Sequence, residues 1–146
     1  SRYYVLLFVS ADGKTAEIVN NDPYLGMGGA AKWIHFLEDG KTGFSCLSYS
    51  GGSKGVFYRT EDGGRSFQEI AYPSAKVKLP DGTYYNPFVM PEKVWGEDGV
   101  LYMEAGQGAD GDYYNQEGFC HGLYSSNDRG VTWNYEQEVA AGRRNE

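Results

Sequence analysis

The 146-residue chain carries a net charge of −7, and 40% of its residues are hydrophobic. That acidity excludes a nucleic-acid binder, which needs clustered Lys and Arg to neutralise phosphates, and it disfavours an anionic membrane surface. The hydrophobic content excludes a disordered tail; no apolar run approaches the ~20 residues that cross a bilayer, and no signal-peptide pattern opens the chain.

The mixture of 21 Gly and 13 Tyr with 7 Phe and 3 Trp favours short strands joined by tight turns over helices. In chain order, residues 3–9 and 15–19 read as strands around a turn at 10–15. Residues 26–31 are too glycine-rich for a helix and read as a loop; they lack the Lys-Ser/Thr of a phosphate loop. Strands at 32–38, 43–50, 55–60 and 66–72 follow, with turns at 38–41 and 50–53. After a loop at 81–87 come strands at 89–95, 100–105, 119–125 and 132–139, with a long loop at 106–118 inside this set. About ten strands and no helix of normal length make the expected fold class all-β.

One octapeptide recurs along this path. Thr60-Glu61-Asp62-Gly63-Gly64-Arg65-Ser66-Phe67 and Ser126-Asn127-Asp128-Arg129-Gly130-Val131-Thr132-Trp133 both read Ser/Thr-x-Asp-x-Gly-x-Ser/Thr-aromatic. Ser10-Ala11-Asp12-Gly13-Lys14-Thr15 is a shortened third copy without the aromatic. The strands ahead of the turns align too, with Phe8, Tyr58 and Tyr124 at one position and Leu7, Phe57 and Leu123 at the next. The chemistry is that of a turn. A short carboxylate (Asp12, Asp62, Asp128) accepts the exposed backbone N–H groups. Gly64 and Gly130 supply a positive φ, and Phe67 and Trp133 anchor the turn in the apolar layer.

This pattern resembles the Asp-box, or BNR, repeat of β-propellers, a family that includes sialidases and many other secreted proteins. The resemblance implies four-stranded antiparallel propeller blades: half a blade over 1–22, whole blades over 23–73 and 74–140, and a polar tail at 141–146. Propellers close with typically four to eight blades. About two and a half cannot close a ring, so either further blades or self-association would complete it. An extracellular or cell-surface location is implied with the family.

Sialidases bind a sugar carboxylate with three arginines and use a Tyr–Glu nucleophile pair with a further acidic residue. The arginines here are Arg2, Arg59, Arg65, Arg129, Arg143 and Arg144. Arg65 and Arg129 lie in the box turns, which in this family face away from the active site; Arg143 and Arg144 belong to the tail; and Arg59 is expected to pair with a neighbouring carboxylate. A complete sialidase site is therefore not expected. The leading expectation is a non-catalytic segment that binds a glycan or other extracellular ligand. The alternatives are part of a sialidase-type hydrolase and a protein-interaction scaffold.

The candidate ligand residues are Tyr84, Tyr85 and Asn86 in one loop and Asp110, Asp112, Tyr113 and Tyr114 in the other. Tyrosine faces stack on sugars while Asn and Asp bond hydroxyls; the competing reading packs the same tyrosines onto neighbouring strands. The 110–117 run crowds oxygen ligands suited to calcium, but Tyr114 stands at the fifth position and no Gly at the sixth. His35 and His121 lack partners at zinc spacing. Glu92 and Glu104 could face a central channel as acids or as solvated residues. Cys46 and Cys120 read as buried free thiols, with a single bridge as the other option.

Overall fold

The computed structural model describes residues 3–141. Its architecture is all-β and antiparallel, with none of the sheets closed. A hairpin comes first, β1 (Leu6–Val9) with β2 (Ala16–Asn20). A four-stranded meander follows, formed by β3 (Ala30–Phe36), β4 (Gly43–Tyr49), β5 (Lys54–Thr60) and β6 (Gln68–Ile70). A two-residue pair, β7 (Val77–Lys78) with β8 (Tyr84–Tyr85), leads into the last sheet. That sheet is a second meander of β9 (Met90–Glu97), β10 (Val100–Gly106), β12 (Gly118–Ser126) and β13 (Asn134–Ala140), with β11 (Tyr114–Asn115) also paired to β12.

All ten expected strands are present, with shifted ends. β3 begins at Ala30, so the glycine-rich loop is shorter than 26–31. β6 is cut to three residues because Ser66 is tied to the Asp62 turn and the Tyr72 side chain leaves to bond the Phe88 carbonyl. The segments 81–87 and 106–118 are not plain loops, since each contains one of the short strands β8 and β11. A single 3-10 turn, Ser50–Gly52, links β4 to β5. Of the expected polar tail, residues 142–146 lie outside the described residues, as does Arg2.

The sheets stack face to face, and the burial pattern of β4 records it. Phe44, Ser45, Cys46, Leu47 and Ser48 are all buried, because one side meets the hairpin region and the other meets the last sheet. On the first side, Tyr24 packs edge-on against Tyr4 and Tyr58 and shares a 2.8 Å hydrogen bond with Ser45. On the second side, Phe44 and Phe57 stack together and meet Trp133. A strand covered on both faces has no reason to alternate apolar and polar residues.

Strands of the last sheet do alternate. Leu101, Met103 and Ala105 of β10 and Cys120 and Tyr124 of β12 are buried toward the second sheet. Glu104, Tyr102 and His121 lie on the opposite face, which no further sheet of the described residues covers. The β9–β10 connection is the two-residue turn Asp98-Gly99, both residues at positive φ, the backbone that matches strand twist in tight hairpins. At the other end of the stack, Leu7, Phe8, Val9 and Ile18 of the hairpin are all more than half exposed.

Candidate functional site

The repeated octapeptides fold into superimposable hydrogen-bond sets. In one, the Thr60 hydroxyl donates to Asp62 (2.8 Å) and accepts from the Gly64 N–H (2.9 Å), while Ser66 donates its N–H and hydroxyl to the two Asp62 oxygens (2.9 and 2.6 Å). In the other, Ser126, Asp128, Gly130 and Thr132 make the same four bonds at 2.7, 2.8, 2.9 and 2.6 Å. Asp12 accepts from Ser10 and the Lys14 N–H in the shortened copy. Both oxygens of Asp62 and of Asp128 are thereby engaged in turn closure. The Thr132 hydroxyl and N–H, with Ser126, hold Asp128 down at about 2. Phe67 and Trp133 are buried beneath their turns, and Trp133 also donates its indole N–H to the Gly130 carbonyl.

These turns fix one end of the sheets, since they begin at the last residues of β5 and β12. Arginines at that end bond carboxylates. Arg59 pairs with Glu61 at 2.8 Å, as expected from the sequence; Arg65 meets Glu17 at 3.5 Å, and Arg129 bridges to Asp39 in the β3–β4 turn. A cleft of about 560 Å³ lies beside that bridge, between the β3–β4 and β9–β10 turns.

The far end brings together both segments singled out in the sequence, and divides their residues by role. Tyr85 and Tyr113 meet edge to face at 6.5 Å. Tyr113 donates its hydroxyl to Glu138 at 2.7 Å, which pushes its own ionisation up to about 12. Asn115 donates to the other Glu138 oxygen. Asn86 is spent on the backbone of Phe88 and Ala75. Tyr84 and Tyr114 remain outward, 61% and 64% exposed. Asp110 and Asp112 are both exposed on the same segment. Among the described residues, no three His, Cys, Asp or Glu are grouped to hold a metal ion.

A cavity of about 400 Å³ opens at this end, lined by Lys32, Met90, Glu92, Gln107, Phe119 and His121 with the backbone of Gly51, Gly52 and Gly108. An aromatic row runs toward it: Tyr114 packs on Phe119 at 5.2 Å, and Phe119 on His121 at 6.1 Å. His121 Nδ1 lies 2.6 Å from Glu104. This bond, with help from Lys93 at 3.7 Å, keeps the Glu104 carboxyl below its ordinary range against the opposing effect of burial. Gln107 donates to the Tyr113 and Cys120 carbonyls and accepts the Tyr113 N–H, so its amide pins the long segment to the sheet.

Sequence reasoning left Glu92 as an open possibility, set His121 aside as a strand residue without zinc partners, and passed over Lys32 and Phe119. The sign that could have raised Phe119 was its alternation with Cys120 on a strand next to the long segment. Both cysteines are free and buried, and burial, with the nearby Glu92 charge, pushes Cys46 up to about 12. No family model matches the chain, and no curated protein matches it.

Proposed function

We propose that this chain is a segment of an Asp-box β-propeller that binds a glycan or other extracellular ligand, without catalysing its reaction, at the end of the sheets away from the box turns. Two stacked four-stranded meanders, each closed by the same octapeptide turn, support the blade reading, with the β1–β2 hairpin as the outer half of a further blade. The observation that carries the ligand reading is the aromatic row Tyr114–Phe119–His121 leading into a cavity lined by Lys32 and Glu92. Apolar ring faces beside a few polar groups are the usual make-up of a sugar site. A sialidase-type reaction is less well supported, because the three described arginines end on Glu61, Glu17 and Asp39 and none lines the cavity.

A glycan array with the folded chain tests the proposal. Binding to defined glycans should fall at least tenfold for Tyr114→Ala and be unaffected by Glu61→Gln at the opposite end. An array with no binding, or binding indifferent to Tyr114 and Tyr84, would overturn it.

A second reading, completion of the ring by further blades or another copy, is favoured by Leu7, Phe8, Val9 and Ile18, which stand more than half exposed on a hairpin that pairs with no other strand among the described residues. An apolar cluster of this kind marks a surface meant to be covered. Light scattering that gives a monomer at all concentrations, with no apolar-dye binding, would count against it.

A further inference from the structure

The two large sheets share an irregularity that has nothing to do with the repeated turns. In the second sheet Ala31 opposes Leu47 and Trp33 opposes Cys46, so Lys32 is an extra residue with no partner across the ladder. In the last sheet Lys93 opposes Glu104 and Pro91 opposes Ala105, so Glu92 is extra in the same way. Counted from the octapeptide turns, Cys46 and Glu104 hold the same place in their sheets. Lys32 and Glu92 are therefore equivalent bulge residues on the first strands of successive sheets. Bulges re-aim a side chain and are concentrated beside functional sites. Both of these side chains line the 400 Å³ cavity. Gly106, opposite, gives Glu92 its room: a Cβ there would stand 3.0 Å from Glu92 Oε1.

Resting on the glycan reading above, we infer that the paired bulges build a subsite for an uncharged sugar ring, read by Lys32, Glu92 and His121. The charge balance selects against an acidic sugar. One ammonium and one carboxylate line the cavity, and among the described residues no guanidinium does; an added ligand carboxylate would meet Glu92 with Lys32 as the one lysine there to offset it. Hydroxyls suit the donor set. Lys32 only donates, Glu92 as carboxylate only accepts, and a hydroxyl can serve either. His121 is held by Glu104 through Nδ1, which leaves Nε2 for the ligand. A carboxylate cannot donate, so Nδ1 carries the proton. A hydroxyl then satisfies Nε2 whether the ring is neutral and accepting or protonated and donating. Phe119, between Tyr114 and His121, supplies the apolar wall.

The test uses the 146-residue chain and NMR titrations with methyl glycosides of glucose, galactose, mannose and N-acetylglucosamine, beside N-acetylneuraminic acid. At least one neutral glycoside should shift the His121 imidazole resonances and bind at least tenfold tighter than N-acetylneuraminic acid. Lys32→Ala and Glu92→Gln should each weaken that binding at least fivefold without moving the thermal midpoint. Tighter binding of N-acetylneuraminic acid, or neutral-sugar binding that spares His121 and both bulge residues, overturns the subsite. If sugars shift only Tyr84 and Tyr114, the subsite fails while the glycan reading stands; if no sugar shifts either region, both fail.

Discussion

Gly130 and Phe44 meet across the stack of the two large sheets: a Cβ on Gly130 would overlap the Phe44 ring, and the glycine holds a φ of +88°. Gly64 is in the same position against Leu6, at φ +92°. The glycine of the repeat therefore does two jobs, turning the backbone and admitting a side chain from the preceding element. In the shortened copy, Gly13 has φ +73° but nothing within 4 Å. The three sites separate strain from crowding. Gly13→Ala should cost only the left-handed backbone, about 1–2 kcal/mol. Gly130→Ala adds overpacking of about 1–3 kcal/mol to the same strain. Urea denaturation of the two variants measures the difference; equal losses would mean that Phe44 moves aside freely.

The Asp128 turn should leave a mark on acid stability. Its folded ionisation lies at about 2, below the ~3.9 of an unfolded aspartate. A depressed folded value stabilises the native state above pH ~4, and the contribution disappears as pH falls from there toward 2. Asp39, held at about 2 first by the Thr42 N–H and then by the Lys41 N–H, contributes with the same sign. Asp128→Asn keeps one acceptor oxygen but cannot accept the Thr132 hydroxyl bond at the other. Its thermal midpoint at pH 7 should drop by a few degrees, and its midpoint should fall less steeply than that of the parent between pH 5 and 2. A parallel acid limb in the two proteins would show the turn to be energetically silent.

Tyr113 and Tyr114 are neighbours with opposite assignments. The Tyr113 hydroxyl bonds Glu138, and its ring packs on Phe88 and Tyr85; Tyr114 faces outward. Tyr113→Phe should therefore destabilise the fold by about 0.5–1.5 kcal/mol, the net worth of one hydrogen bond, with little change in ligand affinity. Tyr114→Ala should do the reverse. Calorimetric unfolding paired with binding on the same preparations decides it, and exchanged phenotypes would reverse the assignment.

Neither cysteine should react in the native state. Cys46 and Cys120 are fully buried, and a thiol pushed up to about 12, as at Cys46, presents almost no thiolate at pH 8. A disulfide-exchange reagent should titrate both thiols only after denaturation, and reducing agent should leave the thermal midpoint unchanged. Fast labelling of the folded chain would contradict this packing.

The octapeptide turns were legible because their bonds are local. Asp62 and Ser66, or Asp128 and Thr132, lie within one turn of chain, so residue type and spacing nearly suffice to define the geometry. The strands were legible for a related reason, since Gly, Asp and Asn punctuate them, and only their ends moved. The strands β7, β8 and β11 were missed because each has only two residues, too few to show an alternation. The cavity was least visible. Lys32 and Glu92 lie 60 residues apart, and a bulge exists only relative to the opposite strand, so no window of sequence displays it.

By itself, then, the sequence determined an all-β chain with aspartate turns, two meanders and two tyrosine-rich segments, because those features depend on contacts within a few residues. Tertiary packing decided the rest. It spent Tyr113 and Asn86 on holding the fold and left Tyr84 and Tyr114 at the surface. It also set His121 against Glu104 and turned Lys32 and Glu92 into one cavity. These outcomes depend on which strands pair, in what register and which faces are covered, and those relations arise only when distant segments meet.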